Sequence, residues 1–179
     1  RWDLMALGTS NGIPPGSSPA QFTAWGKITL GWTNRVQSVA TKAYANVTLN
    51  PLEESGAVLH AVKLPVTSTT YYLIEVRKQI GFDQYLPSSG VLVSFVDEML
   101  SSGHGIVKVK DANPSTSTLN DAAFQVGQTF ADYAKNVRIS ILSSDGSSYL
   151  IFVDRRGPMP DLTITALRSA PHNAHPRDK

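Results

Sequence analysis

The 179-residue sequence contains no cysteine. That excludes disulfides, thiolate metal sites and cysteine nucleophiles together, while leaving the compartment open, since many exported proteins also lack cysteine. Charge is sparse as well: charged residues make up 17% of the chain, the 16 basic residues are scattered, and the formal net charge is only +2. No basic run exceeds two residues, so no electrostatic footprint for nucleic acid or an anionic membrane is expected. No apolar run approaches the roughly 20 residues needed to span a bilayer, and no signal-peptide pattern opens the chain. The motif His-Glu-x-x-His does not occur, so the sequence holds no zinc-binding helix of that type.

What is present favours strands and turns: 41% hydrophobic residues with abundant Ser, Thr, Gly and Pro, in a length suited to one domain or slightly more. Gly8 to Gly16 is so dense in turn residues that it must be a loop. Ser18-Pro19-Ala20-Gln21 has the form of a capping box, and Phe22, Trp25 and Ile28 recur every three residues up to Gly31, which predicts one short helix. Beyond Trp32 the apolar period becomes two. Strands are expected over Tyr72 to Arg77 and Val91 to Val96 and, more weakly, at 35–49, 57–65, 105–111 and 122–131. Val137, Ile139 and Ile141 face Tyr149, Ile151 and Val153 across Ser143-Ser144-Asp145-Gly146-Ser147, where Asp-Gly marks a hairpin. Together these predict a mainly β chain, an antiparallel β-sandwich with one short N-terminal helix. The sandwich should occupy 35–154, with a linker at Arg155 to Pro160 and a new strand at Asp161 to Thr165.

Three blocks resemble the immune inhibitor A type of zinc metallopeptidase. They are Trp2-Asp3-Leu4-Met5-Ala6 before a Gly/Ser-rich loop; Pro19 to Lys27 leading into Leu30-Gly31-Trp32; and Tyr71 to Arg77 followed by Gly81-Phe82-Asp83, Leu86-Pro87 and Gly90 to Glu98. A looser match runs from Asp111 to Phe130. The resemblance implies that residues 1–34 are the remnant of a catalytic domain, its Met-turn loop and helix. It implies that Met5 lies beneath a zinc ion without ligating it, supporting the ligand imidazoles. The zinc ligands and the glutamate base would come from a missing N-terminal part of that domain, and the whole protein would cleave peptide or protein substrates outside the cell or at its surface. This chain departs from the family at Ser94 and Phe95, where tryptophan and histidine are usual, which weakens any role of that strand in a substrate cleft. Pro160 to Leu167, followed by Ala170-Pro171, is similar to the opening strand of a cell-adhesion-related repeat domain. Both ends then read as cuts, and residues 1 to about 17 are expected to pack poorly without their cover.

Other candidates are local. Asp97 and Glu98 follow a buried strand and Asp83 sits in a turn, so these carboxylates could gather at one end of a sheet as oxygen ligands for calcium; Asp111 and Asn113 offer alternating oxygens of the same kind. The plainer reading of each is a solvated strand end or turn. Glu75 and Arg77, two apart on one strand face, suggest a structural ion pair. His60 and His104 have no ligand neighbour in sequence, and Pro171 and Pro176 bracket His172 and His175 and forbid a helix there. Asn46-Val47-Thr48 is a glycosylation sequon. The function expected is therefore that of a non-catalytic, C-terminal portion of a secreted metallopeptidase. The rivals are a β-sandwich binding or adhesion module without peptidase activity, and a degenerate relative kept as a scaffold.

Overall fold

Alternating apolar residues dictate two sheets. The computed structural model describes residues 1–157. Helix α1 spans Ala24–Thr29, and the strands are β1 (Val36–Ser38), β2 (Tyr44–Leu49), β3 (Ala61–Pro65), β4 (Thr70–Arg77), β5 (Gly90–Asp97), β6 (Val107–Lys110), β7 (Thr129–Asp132), β8 (Val137–Ser144) and β9 (Tyr149–Asp154). One sheet has the order β1-β3-β4-β5-β6 and the other β2-β9-β8-β7. All strand pairs are antiparallel except β1 with β3, where Val36 to Ser38 run beside Ala61 to Lys63 in the same direction. Between the sheets lie Val47, Leu49, Leu64, Tyr72, Ile74, Val91, Val93, Ile139, Ile141, Ile151 and Val153, the inward positions of a β-sandwich core. The expected hairpin forms, with Ile139 opposite Val153 and Ile141 opposite Ile151.

Several expected elements are shorter or divided. The run 35–49 breaks into β1 and β2 in different sheets, because the chain crosses the sandwich through a turn at Lys42, whose φ is 66°. Of 122–131, Phe124 makes only an isolated bridge to Val91, and Gly127 at φ 87° turns the chain before β7. The helix begins at Ala24 rather than beside Ser18, because the Ser18 hydroxyl and the backbone at Gln21 are held by the turn at Phe82 and Asp83. Ser18 Oγ donates to the Phe82 carbonyl (3.2 Å), and the Gln21 amide donates to Asp83 Oδ1 (2.8 Å). The Ala24 amide is instead taken by Glu75 Oε2 at 2.6 Å, so a strand carboxylate caps the helix from across the fold.

Every residue of β4 from Tyr71 to Arg77 is buried. An antiparallel sheet usually leaves one face to water, and here residues 1–34 cover that face. Trp2 and Ala20 pack with Leu86, Leu92, Ala122 and Ala123, and Ala24 packs with Leu52, Tyr71, Leu73 and Val96. The expectation of a poorly packed N-terminus fails at Trp2 and Asn11: Trp2 is buried, its indole donates to the Leu119 carbonyl (2.6 Å), and Asn11 Nδ2 donates to the Arg1 carbonyl (2.9 Å), whereas Met5, Leu7 and Ile13 stay exposed. At the other end Arg155 still belongs to the fold, its amide donating to the Ala43 carbonyl at 2.9 Å, so no linker begins there. The strand expected at 161–165 lies outside the described residues.

Candidate functional site

Odd-numbered residues of β4 point outward under the N-terminal layer, and this places Glu75 and Arg77 in its interior. The Arg77 guanidinium is fully buried and every direction of its fork is used. Nη1 donates to the Trp2 carbonyl (2.7 Å) and Glu75 Oε1 (3.1 Å); Nε and Nη2 donate to Asp83 Oδ2 (2.9 and 2.6 Å); and Glu53 Oε1 lies 3.4 Å from Nε. Burial alone would lower the pKa of Arg77, but Glu75, Asp83 and Glu53 outweigh it and hold the group above its ordinary value.

Glu53 is the odd member. Its side chain is only 3% exposed, and Oε2 meets no N–H or O–H donor among the described residues. Burial first, and then the hydrogen bond and charge of Asp83, push its carboxyl up to about 9. Two carboxyl groups in contact hold together only if one carries a proton, and at neutral pH Glu53 carries it. The adjacent Lys27 shifts the other way: burial lowers its pKa, and its Nζ makes one hydrogen bond, to the Leu52 carbonyl at 2.8 Å.

Above Glu53 and Lys27 opens a cleft of about 660 Å³, between the N-terminal layer, the start of α1, the segment after it and the 52–55 loop. Phe22, Trp32, Leu52 and Phe82 form its apolar lining. Phe22 and Trp32 meet edge-to-face with centroids 5.4 Å apart. Trp32 is 64% and Phe82 70% exposed, which is unusual for large aromatics unless they serve a contact. His60 also borders the cleft, but its ring nitrogens are occupied by Thr33 Oγ1 (2.8 Å) and the Glu54 carbonyl (2.9 Å). Glu54 itself accepts from Ser147 Oγ at 2.7 Å.

No family model, curated protein or solved structure matches this chain.

The residues singled out in the sequence are dispersed. Met5 is 76% exposed on the N-terminal layer. Asp83 is buried on Arg77 at one end of β4, whereas Asp97 pairs with Thr70 at the other end, so the two cannot share a cation. Asp97 Oδ1 accepts from the Met99 amide (3.0 Å), and Glu98 Oε1 accepts from the Tyr71 hydroxyl (2.7 Å). Asp111 Oδ1 accepts from the Asn113 amide (3.0 Å), and Asn113 Nδ2 donates to Asp121 (2.8 Å), in a loop of its own. Among the described residues no three His, Asp or Glu side chains come together as a metal site. Ser94 is buried beneath the N-terminal layer, while Phe95 meets Tyr72 edge-on with centroids 5.2 Å apart. Asn46 of the sequon is exposed on β2, an edge strand. His172 and His175 lie outside the described residues. No helix among the described residues is long and apolar enough to cross a membrane. Sequence reasoning missed Glu53, Lys27, Trp32 and Phe82 as a group, since they are separated along the chain and share no period; only the Glu75 and Arg77 spacing pointed toward this region.

Proposed function

We propose that this chain supports a zinc metallopeptidase centre of the immune inhibitor A type, with Met5 as its apolar floor and the zinc ligands and glutamate base supplied by residues outside this sequence. The observation that carries the reading is how Met5 is held. The Asp3 carbonyl accepts from the amides of Ala6 and Gly8 (both 3.1 Å), and the Leu4 amide donates to the Gln21 carbonyl (3.3 Å), yet the Met5 side chain itself is left out in water. A large, soft apolar side chain projected from an anchored turn is one that packs against a further surface. Trp2 belongs to the core of this fold, which leaves Met5, with the exposed Leu7 and Ile13 of the same layer, free for such a contact. Zinc does not fit the described residues: both ring nitrogens of His60 are engaged, and His104 sits in an exposed turn bonded to Ser101 and Ser102. When bound by the other part, zinc would activate water for peptide hydrolysis; this chain would orient and close.

The purified chain given zinc should show no peptide hydrolysis above background, and chelator-sensitive activity would overturn the proposal. In a protein joining this sequence to an upstream His-Glu-x-x-His helix, Met5→Ala should lower peptidase activity about tenfold, with the unfolding temperature of this part unchanged; full activity would equally sink it.

The aromatic cleft favours a second reading, a β-sandwich that binds a partner and cleaves nothing. Absence of His-Glu-x-x-His from the whole protein would decide for it.

A further inference from the structure

We propose that the cleft over Lys27 binds the free carboxyl terminus of a peptide whose last residue is apolar. Lys27 is the first reason. Its ammonium is half-buried, spends one of three donors on a carbonyl, and has no carboxylate within ion-pair distance among the described residues. The acid beside it, Glu53, is directed to the Arg77 guanidinium instead, at 3.4 Å, and makes no ion pair with Lys27. A cation that has lost part of its hydration without gaining an anion is a place where an anion binds.

The surroundings define the rest of the ligand. Arg35 also lines the cleft, exposed, its guanidinium making no hydrogen bond or ion pair among the described residues, while the lining carboxylate of Glu54 is engaged by Ser147 Oγ at 2.7 Å, so Arg35 is a second cation open to an anionic ligand. Phe22, Trp32, Leu52 and Phe82 offer apolar walls for the body of the ligand, and about 660 Å³ is within the usual size of such sites, roughly 300 to 1,000 Å³. The carboxamides of Gln21 and Asn34 also line the cleft and make no hydrogen bond among the described residues. A carboxamide matches the donor and acceptor of a peptide group, which a simple aliphatic or aryl acid lacks. An anionic end, an apolar side chain and a peptide unit together specify a peptide terminus. The inference stands apart from the role given to Met5.

The test titrates the full chain by heteronuclear NMR with acetyl-Ala-Leu-Phe as the free acid, the same peptide as its C-terminal amide, and 3-phenylpropanoate. The free acid should saturate shifts at Trp32, Lys27 and Phe82, with the amide and 3-phenylpropanoate at least about tenfold weaker, a difference of about 1.4 kcal/mol. Lys27→Met should weaken the acid about tenfold. Because Lys27 also holds the Leu52 carbonyl, the exposed Arg35→Gln is the companion variant; it should fold normally and weaken binding about threefold through the lost charge. Equal binding of acid and amide, 3-phenylpropanoate binding as tightly as the peptide acid, no saturation by any of them, or unchanged affinity in both variants would overturn the proposal.

Discussion

Four ionisable side chains meet beneath the N-terminal layer, and only Arg77 among them is basic. Glu75 and Asp83 use its fork directly, leaving Glu53 at 3.4 Å with the weakest contact and the proton. The linkage follows from the direction of the shift. Glu53 is raised in the fold from an ordinary 4.5 to about 9, so the folded state binds its proton more tightly than the unfolded chain does. Its contribution to stability is therefore greatest below about 4.5, declines as pH rises through that window, and reaches its low point above about 9. Glu53→Gln keeps the shape and a donor for Asp83 without the ionisation. It should raise stability at pH 7, by up to about 3 kcal/mol, and flatten the pH dependence between 5 and 9 in urea unfolding; a profile parallel to that of the parent chain would refute this. Arg77→Met strands two buried carboxylates and should destabilise by about 3 to 5 kcal/mol. Of this cluster, only the Glu75 and Arg77 pairing was legible in the sequence, from their spacing of two on a strand. Asp83 is brought in by a short 3-10 turn over Gly81–Tyr85 and Glu53 by a loop without periodicity, and neither position advertises a partner.

At the scale of elements, α1 shows why a local signal can be present and unused. Ser18 and Gln21 have the chemistry of a capping box, but the Phe82 carbonyl takes the Ser18 hydroxyl, Asp83 takes the Gln21 backbone amide, and Glu75 caps the helix five residues after Pro19 instead. Six residues make a helix too short to persist without such tertiary help. The layer that contains it depends on Trp2. Trp2→Ala removes a buried indole and its bond to Leu119 and should cost about 3 to 5 kcal/mol, measured by chemical unfolding, with exchange protection at Gln21 and Ala24 falling most. The β8–β9 hairpin behaves differently, since its signal is local and sufficient. Gly146 sits at φ 93°, and Asp145 accepts from the amides of Ser147 and Ser148 (2.8 and 2.7 Å), so the turn is built from its own residues. Gly146→Val should therefore cost about 1 to 3 kcal/mol through backbone strain alone, read as a lowered unfolding temperature with the fold retained.

At the scale of the molecule, residues 1–34 act as a third layer on the five-stranded sheet. Their backbone is tied to that sheet and its flanking turn by carboxylates and by Arg77 at Trp2, Gln21 and Ala24. Native-state hydrogen exchange should consequently open the Gln21 and Ala24 amides together with β4; their release at much lower free energy than β4 would show the layer to be a separate unit. Alternation of apolar residues by itself determined that this chain forms two antiparallel-type sheets and closes on a hairpin, because side-chain period and turn chemistry are local properties. Only the tertiary structure decided that the outward face of β4 is dry, that Glu53, Glu75 and Asp83 converge on Arg77, and that Phe22, Trp32 and Phe82 stand around Lys27. Those outcomes depend on which distant segments cover one another, and burial and charge pairing are set by that covering rather than by any residue's own neighbours in the chain.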